Sequence, residues 1–161
     1  MPSDLEIINE FLKLVKTSST PVVTFNDGGS KITGIRLRIT MDTLPDLTQL
    51  SQLTELTDLS IIGQMTSWGD SNLSQLTKLT TLVIIGQMTD KIPDLSSSTN
   101  LIYINIHGQM TGWTNSDLSK LTKLYLIAIS GQMTDSVPDL SKLTMLTYLR
   151  IIGQMTDKIP D

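Results

Sequence analysis

The sequence predicts an α/β repeat solenoid: a parallel β-sheet built from one short strand per coil, a turn- and 3₁₀-rich opposite side, and an N-terminal helix and hairpin as a cap. Three observations predict it. The tetrapeptide GQMT occurs five times, with its glycine at Gly63, Gly86, Gly108, Gly131 and Gly153, giving spacings of 23, 22, 23 and 22 residues. An apolar ladder precedes each copy, as in Leu50, Leu53, Leu56, Leu59 and Ile61 of the first coil or Leu140, Leu143, Leu146, Leu149 and Ile151 of the fifth. The segment ahead of the repeats carries its own helix and turn signals instead.

The ladder steps by three and then by two. A step of three does not suit a long α-helix, whose apolar stripe needs mixed steps of three and four, whereas a step of two is the strand period. Each coil therefore reads as a turn leading into a short strand. One coil cannot bury its apolar side alone, so coils must stack. The third coil breaks the ladder at one rung, reading Leu95, Ser98, Leu101, Ile104, Ile106.

At the N-terminus, Ser3 followed by Glu6 is a capping box. Leu5, Ile8, Leu12 and Val15 form an apolar stripe, widened by Ile7, Phe11 and Leu14, which predicts a helix over 4–16 packed on the first coil. VVTF and KITGIRLRI flank the turn-rich NDGG and predict a hairpin. The expected organisation is one domain: a cap over 1–40 (helix, hairpin, first strand), then five repeats over 41–161 with no C-terminal cap. The chain stops inside a unit, at IIGQMTDKIPD. Either it is a cut fragment or the last strand, near 148–152, is covered by another molecule, as in a homodimer through the C-terminal coil.

Composition narrows the function classes. With 161 residues and 39% apolar content, one domain with a substantial core is expected. Only 17% of residues are charged and 4% aromatic, the net charge is −4, and no run of Lys or Arg exists, which argues against nucleic acid as a partner. The absence of cysteine excludes disulfides and thiolate metal sites without fixing the compartment. No signal peptide and no run of about 18 apolar residues is present, so the chain reads as soluble, without membrane insertion. No cofactor or metal constellation is apparent, and NDGG is too short for a calcium or phosphate loop.

The pattern L-x-x-L-x-x-L-x-x-L-x-I resembles the leucine-rich repeat family, and units such as LSKLTMLTYLRIIGQMTDKIPD are similar to its plant-type subclass, in which T-G-x-I-P follows the strand. The resemblance covers about Ile32 to Asp161, and the preceding segment is similar to the family's N-terminal cap without its cysteines. The units are shorter than is typical of the subclass. Gln64, Gln87, Gln109, Gln132 and Gln154 stand where the family has its ladder asparagine. The resemblance implies a sheet lining a concave binding surface, protein or peptide recognition without catalysis, and an extracellular or cell-surface setting.

Strand positions facing away from the core are the candidate binding residues. They are Arg36 and Arg38 in the cap, then Asp58, Ser60 and Ile62; Thr81, Val83 and Ile85; Tyr103, Asn105 and His107; Leu126, Ala128 and Ser130; and Tyr148, Arg150 and Ile152. Scaffold positions repeat and these do not. Their apolar members would make an unusually apolar exposed stripe. Trp68 and Trp113 are either a second ring-face site or core fillers in the slots that Ile92 and Val137 take in other units. The threonines of GQMT (66, 89, 111, 134, 156) could form a ladder suited to a polymer or ice, though scaffold explains them better. His107 and Ser130 occupy one strand position in adjacent coils, but a hydrolytic pair needs a third group to orient the ring, so no enzyme is expected.

Overall fold

The computed structural model describes residues 2–68, 73–87, 94–108, 118–131 and 139–153. It opens with helix α1 (Asp4–Lys13), whose capping box forms as expected: Ser3 Oγ accepts the Glu6 N–H at 3.3 Å and Glu6 Oε2 accepts the Ser3 N–H at 2.6 Å. The Ser3 backbone N–H, with its hydroxyl second, holds the Glu6 carboxyl below its usual range. The helix ends at Lys13, short of the expected residue 16. Competition from a strand explains the early stop. The Lys16 carbonyl accepts the Thr40 N–H at 2.9 Å and the Ser18 N–H donates to the Arg38 carbonyl at 2.8 Å, so this stretch pairs with the sheet edge instead of continuing the helix. Ile7, Ile8 and Phe11 enter the core, while Leu5 and Leu14 of the predicted stripe face water.

The hairpin follows. Strand β1 (Val22–Phe25) runs antiparallel to β2 (Ile32–Ile39). Between them, Asn26 Oδ1 accepts the N–H groups of Ser30 and Lys31, each at 3.2 Å, and Gly29 takes the left-handed conformation (φ 67°) that the tight turn requires.

Five strands then add in parallel and in chain order: β3 (Asp58–Gly63), β4 (Thr81–Ile85), β5 (Tyr103–His107), β6 (Leu126–Ser130) and β7 (Tyr148–Ile152). Their register aligns two inward columns, Ile35-Leu59-Leu82-Ile104-Ile127-Leu149 and Leu37-Ile61-Ile84-Ile106-Ile129-Ile151. Both are buried as far as β6. The opposite wall explains the step of three. Leu53 N donates to Leu50 O at 3.0 Å, Leu56 N to Leu53 O at 3.0 Å, and the same rung-to-rung bonds recur as Leu76 to Leu73, Leu101 to Ser98, Leu124 to Leu121 and Leu146 to Leu143. Such i to i−3 bonding eclipses every third side chain, which places all rungs on one inward edge. Asp46, Asp94 and Asp139 start three of these ladders by accepting an N–H two residues on, at 2.9, 2.8 and 2.8 Å.

Ser98 is the exception among the rungs. Leu53, Leu76, Leu121 and Leu143 fill its position in the other coils, and its fully buried hydroxyl has no hydrogen-bond partner. An unpartnered buried hydroxyl costs about 1–3 kcal/mol, so the middle coil carries a local weakness.

The tetrapeptide is scaffold where it is described. Gly63 and its equivalents pack backbone on backbone: a Cβ would lie 2.4 Å from Ile39 O at Gly63, 1.6 Å from Gly108 O at Gly131 and 1.7 Å from Gly131 O at Gly153. Met65 is fully buried. Main chain, not the glutamine side chains, links the coils here: Gln64 and Gln87 are exposed, while the Gln87 backbone N–H donates to Met65 O at 2.6 Å and Thr66 N donates to Asp42 O at 2.7 Å. Gln109, Gln132, Gln154 and the threonines 89, 111, 134 and 156 lie outside the described residues. No described helix is long and apolar enough to cross a membrane.

Candidate functional site

Strand alternation sends every second side chain outward, and parallel register turns those side chains into three rows across the sheet. The first runs Thr24, Gly34, Asp58, Thr81, Tyr103, Leu126, Tyr148. The middle row runs Val22, Arg36, Ser60, Val83, Asn105, Ala128, Arg150. The third runs Arg38, Ile62, Ile85, His107, Ser130, Ile152. The candidate residues of β3 to β7 thus share one face. Most are half-buried by their row neighbours, and Arg36, Arg38, Asp58, His107, Tyr148, Arg150 and Ile152 are exposed.

Among the described residues, two depressions indent this face. One, of about 450 Å³, lies over β1 to β4 between Arg36, Asp58, Ser60 and Val83. The other, of about 420 Å³, lies over β4 to β7 with Ala128 among its lining and Tyr103, Tyr148, His107 and Arg150 around it. Small residues on the middle row make both hollows: Ser60 in the first, Ala128 in the second. The cap contributes Val22, Thr24 and Gly34, which sequence reasoning did not place on the face, although alternation within the predicted hairpin carries the signal. At Gly34 the Thr24 side chain takes the space, since a Cβ there would meet its Oγ1 at 2.3 Å.

The polar groups of the face are few. His107 Nδ1 lies within hydrogen-bonding distance of Ser130 Oγ, as their shared strand position predicts. In register, Ile85 and Ile152 flank this pair, so neither row neighbour supplies a carboxylate. Asn105 Nδ2 donates to the Tyr103 hydroxyl at 3.3 Å. Asp58 accepts the Thr57 hydroxyl at 2.7 Å. Among the described residues, no group of three or more His, Asp or Glu is placed to hold a metal. Trp68 does not join the face: it is 2% exposed and belongs to the core, the filler role. Trp113, with Ile92 and Val137, lies outside the described residues.

The architecture is the leucine-rich repeat fold, in which the sheet forms the concave side. The structure is similar to the leucine-rich repeat ectodomain of the receptor kinase SOBIR1 from Arabidopsis thaliana, with a TM-score of 0.59 and 15% identity over 93% of this chain and 92% of that one. It is also similar to the functional domain of InlJ from Listeria monocytogenes (TM-score 0.47, 18% identity, 80% of this chain, 32% of that one). A third similar structure is internalin C2 from Listeria monocytogenes (TM-score 0.45, 20% identity, 78% of this chain, 74% of that one). At these identities the likeness is one of fold. No protein-family profile and no curated protein matches the sequence.

Proposed function

We propose that this protein is a non-catalytic recognition module that binds a protein or peptide on the concave face of its sheet. The observation that carries the reading is the contrast between the two sides of each strand. Inward columns hold only Leu and Ile from coil to coil, whereas outward rows change at nearly every strand and are indented by two hollows. Stacking requires the first kind of position to repeat; it places no such demand on the second. Recognition does not require catalysis here, because the His107 and Ser130 pair has no carboxylate in register to orient the ring.

Tyr103 and Tyr148 flank Leu126 on the first row and present the aromatic surface that interfaces favour. For peptides selected by display against the immobilised protein, Tyr103→Ala and Tyr148→Ala should each weaken binding by about tenfold or more. Neither ring is in the core, so the melting temperature should hardly change. Unaltered affinity in both variants would count against the concave face as the binding surface.

A second reading, self-association through β7, is favoured by one observation. Leu149 is 48% exposed, although its register partners Leu59, Leu82, Ile104 and Ile127 are 0–1% exposed. A second copy pairing with the outer edge of β7 would cover it. Sedimentation over a wide concentration range should then show a dimer that Leu149→Lys dissociates; a monomer at every concentration would dispose of this reading.

A further inference from the structure

The arginines of this chain are distributed unlike its lysines. The sequence contains three arginines and one histidine, and all four lie on the outward rows of the sheet: Arg36 and Arg150 on the middle row, Arg38 and His107 on the third. No outward strand position holds a lysine, although lysine is the commoner cation in the sequence. The only acid on these rows is Asp58, so three arginines against one aspartate leave the face at +2 in a chain of net charge −4. Solubility does not explain this, since lysine would serve it equally well. Arginine differs from lysine in its planar fork, which pairs with carboxylates in a two-point geometry. The ion pairs among the described residues are Lys13 with Glu10 and Lys31 with Asp4; neither involves an arginine.

Register adds the geometry. Along the middle row from β2 to β7 the side chains are Arg36, Ser60, Val83, Asn105, Ala128 and Arg150. Short side chains therefore form the floor of a trough that crosses the strands, and both hollows lie along it. Larger residues such as Tyr103, Leu126 and Tyr148 stand on one side, with Ile62, Ile85 and His107 on the other. An arginine stands on this row in β2 and another in β7. Five strand-to-strand steps of about 4.8 Å separate these arginines by roughly 24 Å, the length of about seven residues of extended chain.

We propose that the trough binds an extended acidic segment of a partner protein, with one carboxylate at Arg36 and Arg38, a second at Arg150 about seven residues away, and uncharged side chains between them. The proposal rests on the concave face being the binding surface, and it names the chemistry of the occupant. Apolar and aromatic groups in the middle of the segment would contact Val83, Ile85 and Tyr103, where the face carries no charge.

The test is a random nonapeptide display library panned in parallel against the protein and against its Arg36→Gln, Arg38→Gln, Arg150→Gln triple variant. The expected pool from the native protein is enriched in pairs of Asp or Glu about seven positions apart. The triple variant should not yield that pool. For individual peptides, Arg150→Gln and the Arg36→Gln, Arg38→Gln pair should each weaken binding by about tenfold, and so should replacing the matching peptide acid by its amide. Failure to enrich any peptide, or a pool without acidic bias, would overturn the proposal. An unbiased pool whose affinity still falls in Tyr103→Ala would overturn only the acidic chemistry and leave the concave face in place; a pool indifferent to Tyr103, Tyr148 and the arginines would overturn both. Equally tight binding of a heparin fragment or a single-stranded oligonucleotide would replace the protein segment with a general polyanion and also overturn it.

Discussion

Gly131→Ala is expected to destabilise the protein by about 3 kcal/mol or more, lowering the thermal midpoint by roughly 6–12 °C for a chain of this size. Two causes act together. Gly131 has a φ of +140°, a backbone conformation that side-chain-bearing residues rarely adopt. Its missing Cβ would also lie 1.6 Å from the Gly108 carbonyl oxygen, so coils four and three would have to move apart at the point where their backbones meet. The contact is with backbone, so no rotamer change relieves it. Gly28→Ala provides the comparison, because nothing lies closer than 3.8 Å to a Cβ at that turn. A Gly131→Ala midpoint equal to that of Gly28→Ala would refute the close-packed glycine column.

Asp4→Ala is expected to cost about 2–3 kcal/mol and to loosen α1 from the end of the solenoid. Asp4 is 3% exposed; its Oδ2 accepts the Ile32 N–H at 2.8 Å and its Oδ1 accepts Lys31 Nζ at 3.1 Å. The lysine is 41% exposed and rehydrates when its partner is removed, so the ion pair itself contributes little. The main loss is the Ile32 N–H, which sits at a fully buried position and would keep no acceptor. The favourable charge at the first turn of the helix disappears as well. Urea unfolding followed by tyrosine fluorescence would measure the loss, and limited proteolysis near 14–20 would report release of the helix. An unchanged urea midpoint would show that Phe11 and Ile8 hold the cap without this anchor.

What could be read in advance follows from how locally each feature is determined. The ladder spacing reports hydrogen bonds only three residues long, so the sequence alone carried the turn-to-strand alternation. The hairpin was equally local, since Asn26 and Gly29 build the turn within six residues. The end of α1 was not local. Leu14 and Val15 continue the apolar stripe, but Lys16 bonds to Thr40 and Ser18 to Arg38, far along the chain, and no short window of sequence shows that competition. Trp68 could be read either as an exposed ring or as a filler, and only packing decided for the core. The alignment of Arg36 with Arg150 was the least legible feature of the face. The two are separated by five strand pairings whose registers must all be known before they fall on one row.

The chain carries its own reporters for the central claim, that recognition uses the concave face. It contains three tyrosines: Tyr103 and Tyr148 border the hollow over β4 to β7, whereas Tyr125 precedes β6, is 52% exposed and lines neither hollow. Tyrosine nitration with and without a saturating selected peptide, read residue by residue by mass spectrometry, tests the claim most directly. Protection of Tyr103 and Tyr148 with unchanged modification of Tyr125 is the predicted result. Protection of Tyr125 while Tyr103 and Tyr148 remain fully reactive would contradict it.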